Sequence, residues 1–486
     1  MRRGCCDIVP QGYRMMMLNE IAKAINGQLL GADVELKNIG TDSRNIVKNQ
    51  LFIAIKGENF DGNTFASEAI KQGAAAVLVS DANTQARPAL VVSDTRLALG
   101  ALAKYWRDQF QTPLVAVTGS NGKTTVKEMI AAILKAANKN VLVTQGNLNN
   151  DIGMPMTLLN LQQKHDVAVI EMGMNHLGEI DYLTRIAQPN VAVINNAGTA
   201  HIGELGSRDN IAKAKGEIFA GLAADGIAVI NVDDNYASYW KSLNKTLNNH
   251  RKIITFGLAK PADVSATFVE KDGINQVNLA TPNGQVTFNL SVLGKHNISN
   301  ALAAAAAAVA LGVSNADIAS GLSNMQPVCG RLQRKAGFHG AQLIDDTYNA
   351  NPDSMKAAID VLAAQSISQH LSTIFVMGDM AELGESAPQM HVEIGAYAKQ
   401  KGIGQFFTFG DLSVKASDAY GVNAQHFSSI ESLVESLKKQ MKQGVSVLVK
   451  GSRFMKMERL VDEISSKEKL QETLEKTRER EKTQCC

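Results

Sequence analysis

The chain has 486 residues, of which 45% are hydrophobic, 20% charged and 5% aromatic, and its 49 Lys+Arg nearly cancel its 47 Asp+Glu to leave a formal net charge of +2. That balance is typical of a soluble globular chain with room for about three domains of about 150 residues each. It excludes the basic field that a nucleic-acid partner requires. The longest apolar stretch, 301–311, is Ala-rich and well short of the roughly 20 residues of a membrane span, so no membrane insertion is expected.

The five cysteines stand at 5, 6, 329, 485 and 486. Adjacent pairs near the ends are neither a disulfide framework nor metal-ligand spacing, and a cytoplasmic, reducing setting is expected. No apolar core segment follows Arg2 and Arg3, so no secretory signal is read there. Residues 1–14 match no domain element and read as a leader outside the fold.

Residues 15–112 read as a small α/β unit. Helices are predicted over 18–25, 65–72 and 95–110, and strands over 34–39, 51–55, 76–79 and 89–92. A polar turn, Thr41-Asp42-Ser43-Arg44, lies between the first two strands. A Gly-containing loop covers 56–62.

The second unit, 113–327, begins with the most informative stretch. A buried strand (114–117) runs into Thr118-Gly119-Ser120-Asn121-Gly122-Lys123-Thr124-Thr125, and helical spacing follows over 126–137. Strand, Gly-rich turn and helix are the context of a phosphate-binding loop. Gly119 and Gly122 let backbone N–H groups crowd round a polyphosphate, Lys123 reaches the outer phosphates and Thr124 can hold Mg²⁺. The two glycines are closer than in the usual spacing, so the loop is a shortened variant. Further apolar runs at 167–170, 191–194 and 227–231 predict a parallel sheet, whose ligands gather at the carboxyl ends of its strands.

Glu171 lies at such an end, where a carboxylate serves as a Mg²⁺ ligand or caps a neighbouring helix. His201 follows the next run and by itself reads as a satisfied core or surface histidine more readily than as a ligand. Lys215 sits mid-helix, where a solvated lysine is the simpler reading. The polar loop at 146–153, with Asn147, Asn149 and Asn150, either turns a corner or binds sugars and phosphates. Residues 253–293 alternate in short runs and read as an antiparallel appendage. Asn297 and Asn300 precede the Ala-rich helix and either cap it or present amides to a base.

The third unit, 328–465, alternates strands (342–345, 373–377, 405–409, 445–449) with helices (353–364, 391–400, 430–441), which predicts a Rossmann-like parallel sheet. Residues 466–486 form a Lys/Glu/Arg-rich tail, solvated or disordered.

Taken in order, the phosphate loop, Gly146–Gly153, Glu171, His201, Ala214-Lys215, His296-Asn297-Ile298-Ser299-Asn300, Gly330-Arg331-Leu332 and Asp345-Asp346-Thr347-Tyr348-Asn349-Ala350-Asn351 resemble the Mur ligases over about 450 residues. The resemblance implies a three-domain α/β enzyme, acting as a cytoplasmic monomer, that uses ATP and Mg²⁺ to form an amide in peptidoglycan precursor synthesis. Residues 147–155, 172–180, 216–219 and 378–384 look like the branch that joins D-alanyl-D-alanine to a UDP-N-acetylmuramoyl-tripeptide. By the same resemblance Thr124, Glu171, His201 and a carbamylated Lys215 hold metal, while Lys123, Glu171, His201 and Lys215 serve catalysis. Ser120, Asn121, Thr125, Asn297, Arg331 and Asp346 complete the nucleotide site with the loop glycines. The UDP-linked substrate would meet Ser43, Arg44, Asn147, Asn149 and Asn150 and the 56–62 loop. Asn349, Asn351, Lys450 and Arg453 would meet the dipeptide or the acyl phosphate.

Overall fold

Runs of Val and Ile that leave no polar face can be satisfied only inside a sheet covered on both sides. The computed structural model, which describes residues 16–57, 60–271 and 274–466, places them there. The leader, Glu58 and Asn59 of the 56–62 loop, and the tail from 467 lie outside the described residues.

At the centre, Leu114–Thr118 lies between Val191–Ile194 and Val167–Glu171, with Val141–Val143 beyond the latter and Ile227–Asn231 beyond the former, all parallel. Within 253–293 the expected antiparallel appendage is Val264–Lys271, Ile274–Thr281 and Gly284–Leu290, which pair antiparallel at the edge of the central sheet, whereas Lys252–Gly257 belongs to its parallel part. Lys252–Gly257 and Val264–Lys271 continue the sheet in parallel, Ile274–Thr281 runs against them and Gly284–Leu290 turns back again, which makes nine strands in one sheet. The alternation in the sequence is the pattern of strands with one face wet, as Ile274–Thr281 shows. Two helices, Lys123–Ala136 and Lys295–Ala310, pack together against one face. In the second, Ala303 to Ala308 are all fully buried.

The first unit is a five-stranded sheet in the order Gln28–Leu30, Ala89–Val91, Ala76–Val79, Gln50–Ile53, Asn38–Gly40. The strand expected over 34–39 is split. Glu35–Leu36 pairs with Met16–Met17 in a separate ribbon, and Asn38–Gly40 pairs with Gln50–Ile53. Between them, the Lys37 N–H donates to Asn49 O at 2.9 Å. The helix Thr95–Arg107, capped by Asp94, joins this unit to the central one. Trp106 on that helix is 2% exposed and donates its indole N–H to Leu161 O at 3.0 Å, while Arg107 Nε donates to Ala187 O at 3.0 Å. One buried apolar cluster spans both units, from Met16 to Trp240.

The third unit has six strands in the order Gln333–Ala336, Gln342–Asp346, Val445–Lys450, Ser372–Gly378, Gln405–Phe409, Ala424–Phe427, of which only the first is antiparallel. It has apolar clusters of its own, which among the described residues Leu293 and Ile202 of the central unit join.

Candidate active site

Residues just past the carboxyl ends of the central and third sheets line one cleft of about 1200 Å³. The phosphate loop forms its floor. Gly122 has φ +80°, and a Cβ there would lie 2.3 Å from Asn300 Oδ1 and 2.6 Å from Asn195 Nδ2, so only glycine fits. Around it runs a chain of asparagine amides. Asn300 Nδ2 donates to Asn297 Oδ1 at 2.9 Å, and Asn195 Nδ2 donates to Asn300 Oδ1 at 2.8 Å and to Asn121 O at 2.9 Å. Asn121 is held further by Asn196 Oδ1, which accepts its N–H at 2.9 Å, and by Asn351 Nδ2, which donates to its side-chain oxygen at 2.7 Å. Asn297 also donates to Leu293 O at 2.7 Å, so its amide closes the helix start while it lines the cleft.

Lys123 opens the loop helix and folds back, donating to Gly119 O at 2.6 Å and Ser120 O at 3.3 Å. Burial lowers its pKa from the ordinary 10.5, and the nearby Glu171 charge opposes that shift. Ser120 Oγ is buried with no hydrogen-bond partner among the described residues. Thr124 donates to Glu171 Oε2 at 2.9 Å, and Asn149 Nδ2 donates to Glu171 Oε1 at 2.8 Å. Two hard oxygen donors thus sit together beside the phosphate loop, which fits Mg²⁺, an ion bound by one or two carboxylates with phosphates and waters completing the shell. Among the described residues no group of three or more His, Cys, Asp or Glu could hold a metal.

Lys215 is not a solvated lysine. It is fully buried, and its Nζ has no hydrogen-bond partner among the described residues. Burial first, and then the Lys123 charge, holds its pKa well below 10.5, which favours a neutral, nucleophilic amine. It does not itself line the cleft. His201 does, and its Nδ1 lies 2.8 Å from Glu382 Oε2. The pairing lowers the Glu382 pKa. Gly203 carries the close approach: its N–H donates to Glu382 O at 3.0 Å, and a Cβ there would lie 2.7 Å from Gly384 N.

From the third unit, Arg331 donates from a terminal guanidinium nitrogen to Thr124 Oγ1 at 2.8 Å, its guanidinium carbon 4.1 Å from the centre of the Tyr348 ring. Asp346 accepts from Lys450 Nζ at 2.6 Å and from the Leu332 N–H at 3.1 Å. Lys450 also donates to Asn349 O at 2.8 Å. Asn351 is the reciprocal cap of the helix Pro352–Gln369 as well as the partner of Asn121. Arg453 is exposed at the rim and lies 3.2 Å from Glu458. Asn147 and Asn150 line the wall, and Asn150 Oδ1 accepts the Gly153 N–H at 2.8 Å.

Ser43 and Arg44 are not brought to this cleft; Arg44 makes a two-pronged contact with Asp42 at 2.7 and 2.8 Å. Arg96 and Leu97 form the first unit's share of the wall. Sequence reasoning missed them, and it also missed Tyr348, Glu382 and Asp353 as individual site residues. Glu382 stands in the Gly378–Gly384 run that carried the resemblance, so a signal existed. For Arg96 there was none, since it is one of many helix-surface cations.

Comparison with known proteins accounts for the arrangement. Residues 117–308 match the Mur ligase middle domain, 330–453 the Mur ligase glutamate ligase domain, and 35–107 the Mur ligase family catalytic domain. This chain belongs to the Mur ligase family. Among its relatives, UDP-N-acetylmuramoyl-tripeptide–D-alanyl-D-alanine ligase of Escherichia coli K12 is 43% identical over 91% of this Mur ligase and 97% of the relative. The ligase of the same description from Bacillus subtilis 168 is 36% identical over 92% and 98%. Crystal structure I of MurF from Acinetobacter baumannii superposes with a TM-score of 0.86 at 38% identity, covering 92% of this chain and 98% of that one. The MurF ligase of Thermotoga maritima in complex with ADP gives 0.77 at 28% identity, over 88% and 96%. The three-part α/β fold is the Mur ligase fold, and the enzyme forms amide bonds with ATP.

Proposed function

We propose that this ligase joins D-alanyl-D-alanine to the terminal carboxylate of a UDP-N-acetylmuramoyl-tripeptide in peptidoglycan precursor synthesis, through an acyl phosphate. The observation that carries the mechanism is the convergence of Lys123, Thr124, Glu171 and the third-unit Arg331 on one cleft. The choice of substrates rests on the relatives named above. ATP binds with its phosphates on the 119–125 loop. The tripeptide carboxylate attacks the outer phosphorus, the bond to the ADP oxygen breaks, and the acyl phosphate forms. The dipeptide's free amine then attacks the acyl carbon and loses a proton, and the tetrahedral adduct expels orthophosphate.

Two anions must approach each other in the first step. Loop N–H groups, Lys123 and Arg331 offset that repulsion, and such donors act most strongly once the cleft closes on its substrates. Mg²⁺, held by Thr124 and Glu171 and at a second position by His201, supplies further charge neutralisation when bound. Lys215 is suited to add CO₂ at its neutral Nζ, release a proton and become a carbamate, an anionic oxygen donor for a cation. Asn349, Asn351, Lys450 and Arg453 form the third-unit wall at which the dipeptide or the acyl phosphate is received, with residues 15–112, 113–327 and 328–465 as the three domains.

The test is an assay of orthophosphate release with the UDP-tripeptide and each of several amines. Release and amide formation should depend on D-Ala-D-Ala and not on single amino acids. With an ¹⁸O-labelled tripeptide carboxylate, one label should appear in the phosphate. Steady ATP hydrolysis without either substrate, or an unlabelled phosphate, would sink the reading.

A further inference from the structure

Lys127 is 1% exposed, lies one turn into the phosphate-loop helix and has no part in the chemistry above. Burying an ammonium is costly unless its donors are used. Here they are: Nζ donates to Thr144 O at 2.6 Å and lies 2.8 Å from Glu128 Oε1. Thr144 is itself fully buried at the end of the strand Val141–Val143. Its N–H donates to Val169 O at 3.1 Å, and its Oγ1 accepts the N–H of Glu171 at 3.0 Å. The strand's pairing with Val167–Glu171 runs out at Val143, so the Thr144 carbonyl is left without a ladder partner and Lys127 supplies one.

The consequence is a closed loop of contacts. Thr124 and Lys127 are three residues apart and so share one side of the helix. Thr124 holds the carboxylate of Glu171 from the front, while Lys127, acting through Thr144, holds the backbone of Glu171 from behind. We infer that Lys127 is a positioning residue that fixes the spacing between Thr124 Oγ1 and the Glu171 carboxylate, and thereby sets the affinity of that oxygen pair for a divalent cation. The inference rests on the proposed Thr124–Glu171 metal site. Partners behind a metal ligand typically change metal affinity or activity by about 10–100-fold when removed.

The test compares Lys127→Met, Lys127→Arg, Thr144→Val and Thr144→Ser. Calorimetry reads ADP binding in EDTA and across a Mg²⁺ titration, and ligase assays read the Mg²⁺ concentration for half-maximal rate. Lys127→Met and Thr144→Val should each raise the Mg²⁺ requirement about tenfold or more, with ADP affinity in EDTA unchanged within about twofold. Lys127→Arg and Thr144→Ser, which keep the donor and the acceptor, should restore most of it. The double variant should be no worse than either single one, because the two residues act in series. If Lys127→Met does not fold, Thr144→Val carries the same prediction. A lower thermal midpoint with an unchanged Mg²⁺ requirement would overturn the inference and leave Lys127 a structural residue. Failure of the metal site itself has a different signature: wild type and Glu171→Gln would bind ADP with the same Mg²⁺ dependence.

Discussion

The central unit meets its two neighbours in opposite ways. Toward the first unit the contact is apolar and continuous: Trp106, Leu99 and Leu102 of the helix Thr95–Arg107 belong to the same buried cluster as Leu158, Leu183 and Ile194. Toward the third unit the described contacts are mostly polar: Asn121 with Asn351, Thr199 with Asp353, His201 with Glu382 and Thr124 with Arg331, with Leu293 and Ile202 as the apolar exceptions. A shared core can open only by unfolding, whereas a polar seam exchanges its partners for water at little net cost. The cleft lies on the polar seam. An enzyme that must admit three substrates and then exclude water has its movable boundary where the chemistry is.

Substitutions on the two seams should therefore fail differently. Trp106→Ala should lower stability by about 3–5 kcal/mol and bring the unfolding of the first and central units down together, read by calorimetry. Two separate transitions would mean the core is not shared. Lys123→Ala should leave the thermal midpoint nearly unchanged and slow ligation by at least about 10²–10³-fold. Near-wild-type ligation by that variant would place the catalytic centre elsewhere. Lys215→Met should move the two readouts in opposite directions. It removes a buried amine without a described partner, so the midpoint should rise by a few degrees while ligation is largely lost.

Asp353 accepts both the N–H of Thr199 at 2.7 Å and its hydroxyl at 2.9 Å. Asp353→Ala should cost about 1–2 kcal/mol in stability. It should also loosen the third unit, seen as a larger radius in small-angle scattering with ATP bound and a rate lower by about 10-fold or more. The smallest effect belongs to His391, fully buried behind the loop that carries Glu382. Its Nε2 accepts the Met380 N–H at 3.0 Å and its Nδ1 lies 2.7 Å from Ala387 O, so the ring is held neutral. Burial lowers its pKa from 6.5. The unfolded chain then takes up a proton more readily than the folded one, so this contribution is present above pH 6.5 and is lost as the pH falls below it. His391→Gln should flatten that part of the stability–pH curve.

Much of this was legible in the chain because it rested on local pattern. The runs at 191–194 and 227–231 became strands with those bounds, and the Gly-rich turn became the cleft floor. Glu171 stood out because it is a carboxylate ending an apolar run beside the phosphate loop, where a Mg²⁺ ligand belongs. What stayed hidden depends on distant pairing. Gln333–Ala336 and Ala424–Phe427 are edge strands of mixed polarity with no apolar run to betray them. Helix Ser413–Tyr420 is short and weakly patterned, and its start is held by Asp379, whose carboxylate accepts the Ser413 N–H at 2.7 Å. The burial of Lys215 and the pairing of His201 with Glu382 each need a neighbour that no spacing rule names. The Asp42 contact of Arg44 likewise follows from the fold of its own turn.

The unbroken row of fully buried alanines from Ala303 to Ala308 has a consequence for engineering. Methyl side chains have no rotamers to rearrange, so a bulkier residue in that row finds no free volume and must push the whole rod aside. The same rod ends in Asn297 and Asn300, whose amides bear on the phosphate loop through Gly122 and Asn195. An enlargement far down its length, such as Ala305→Leu, would thus be reported at its tip as weakened nucleotide affinity, a mechanical lever written in the smallest chiral residue available.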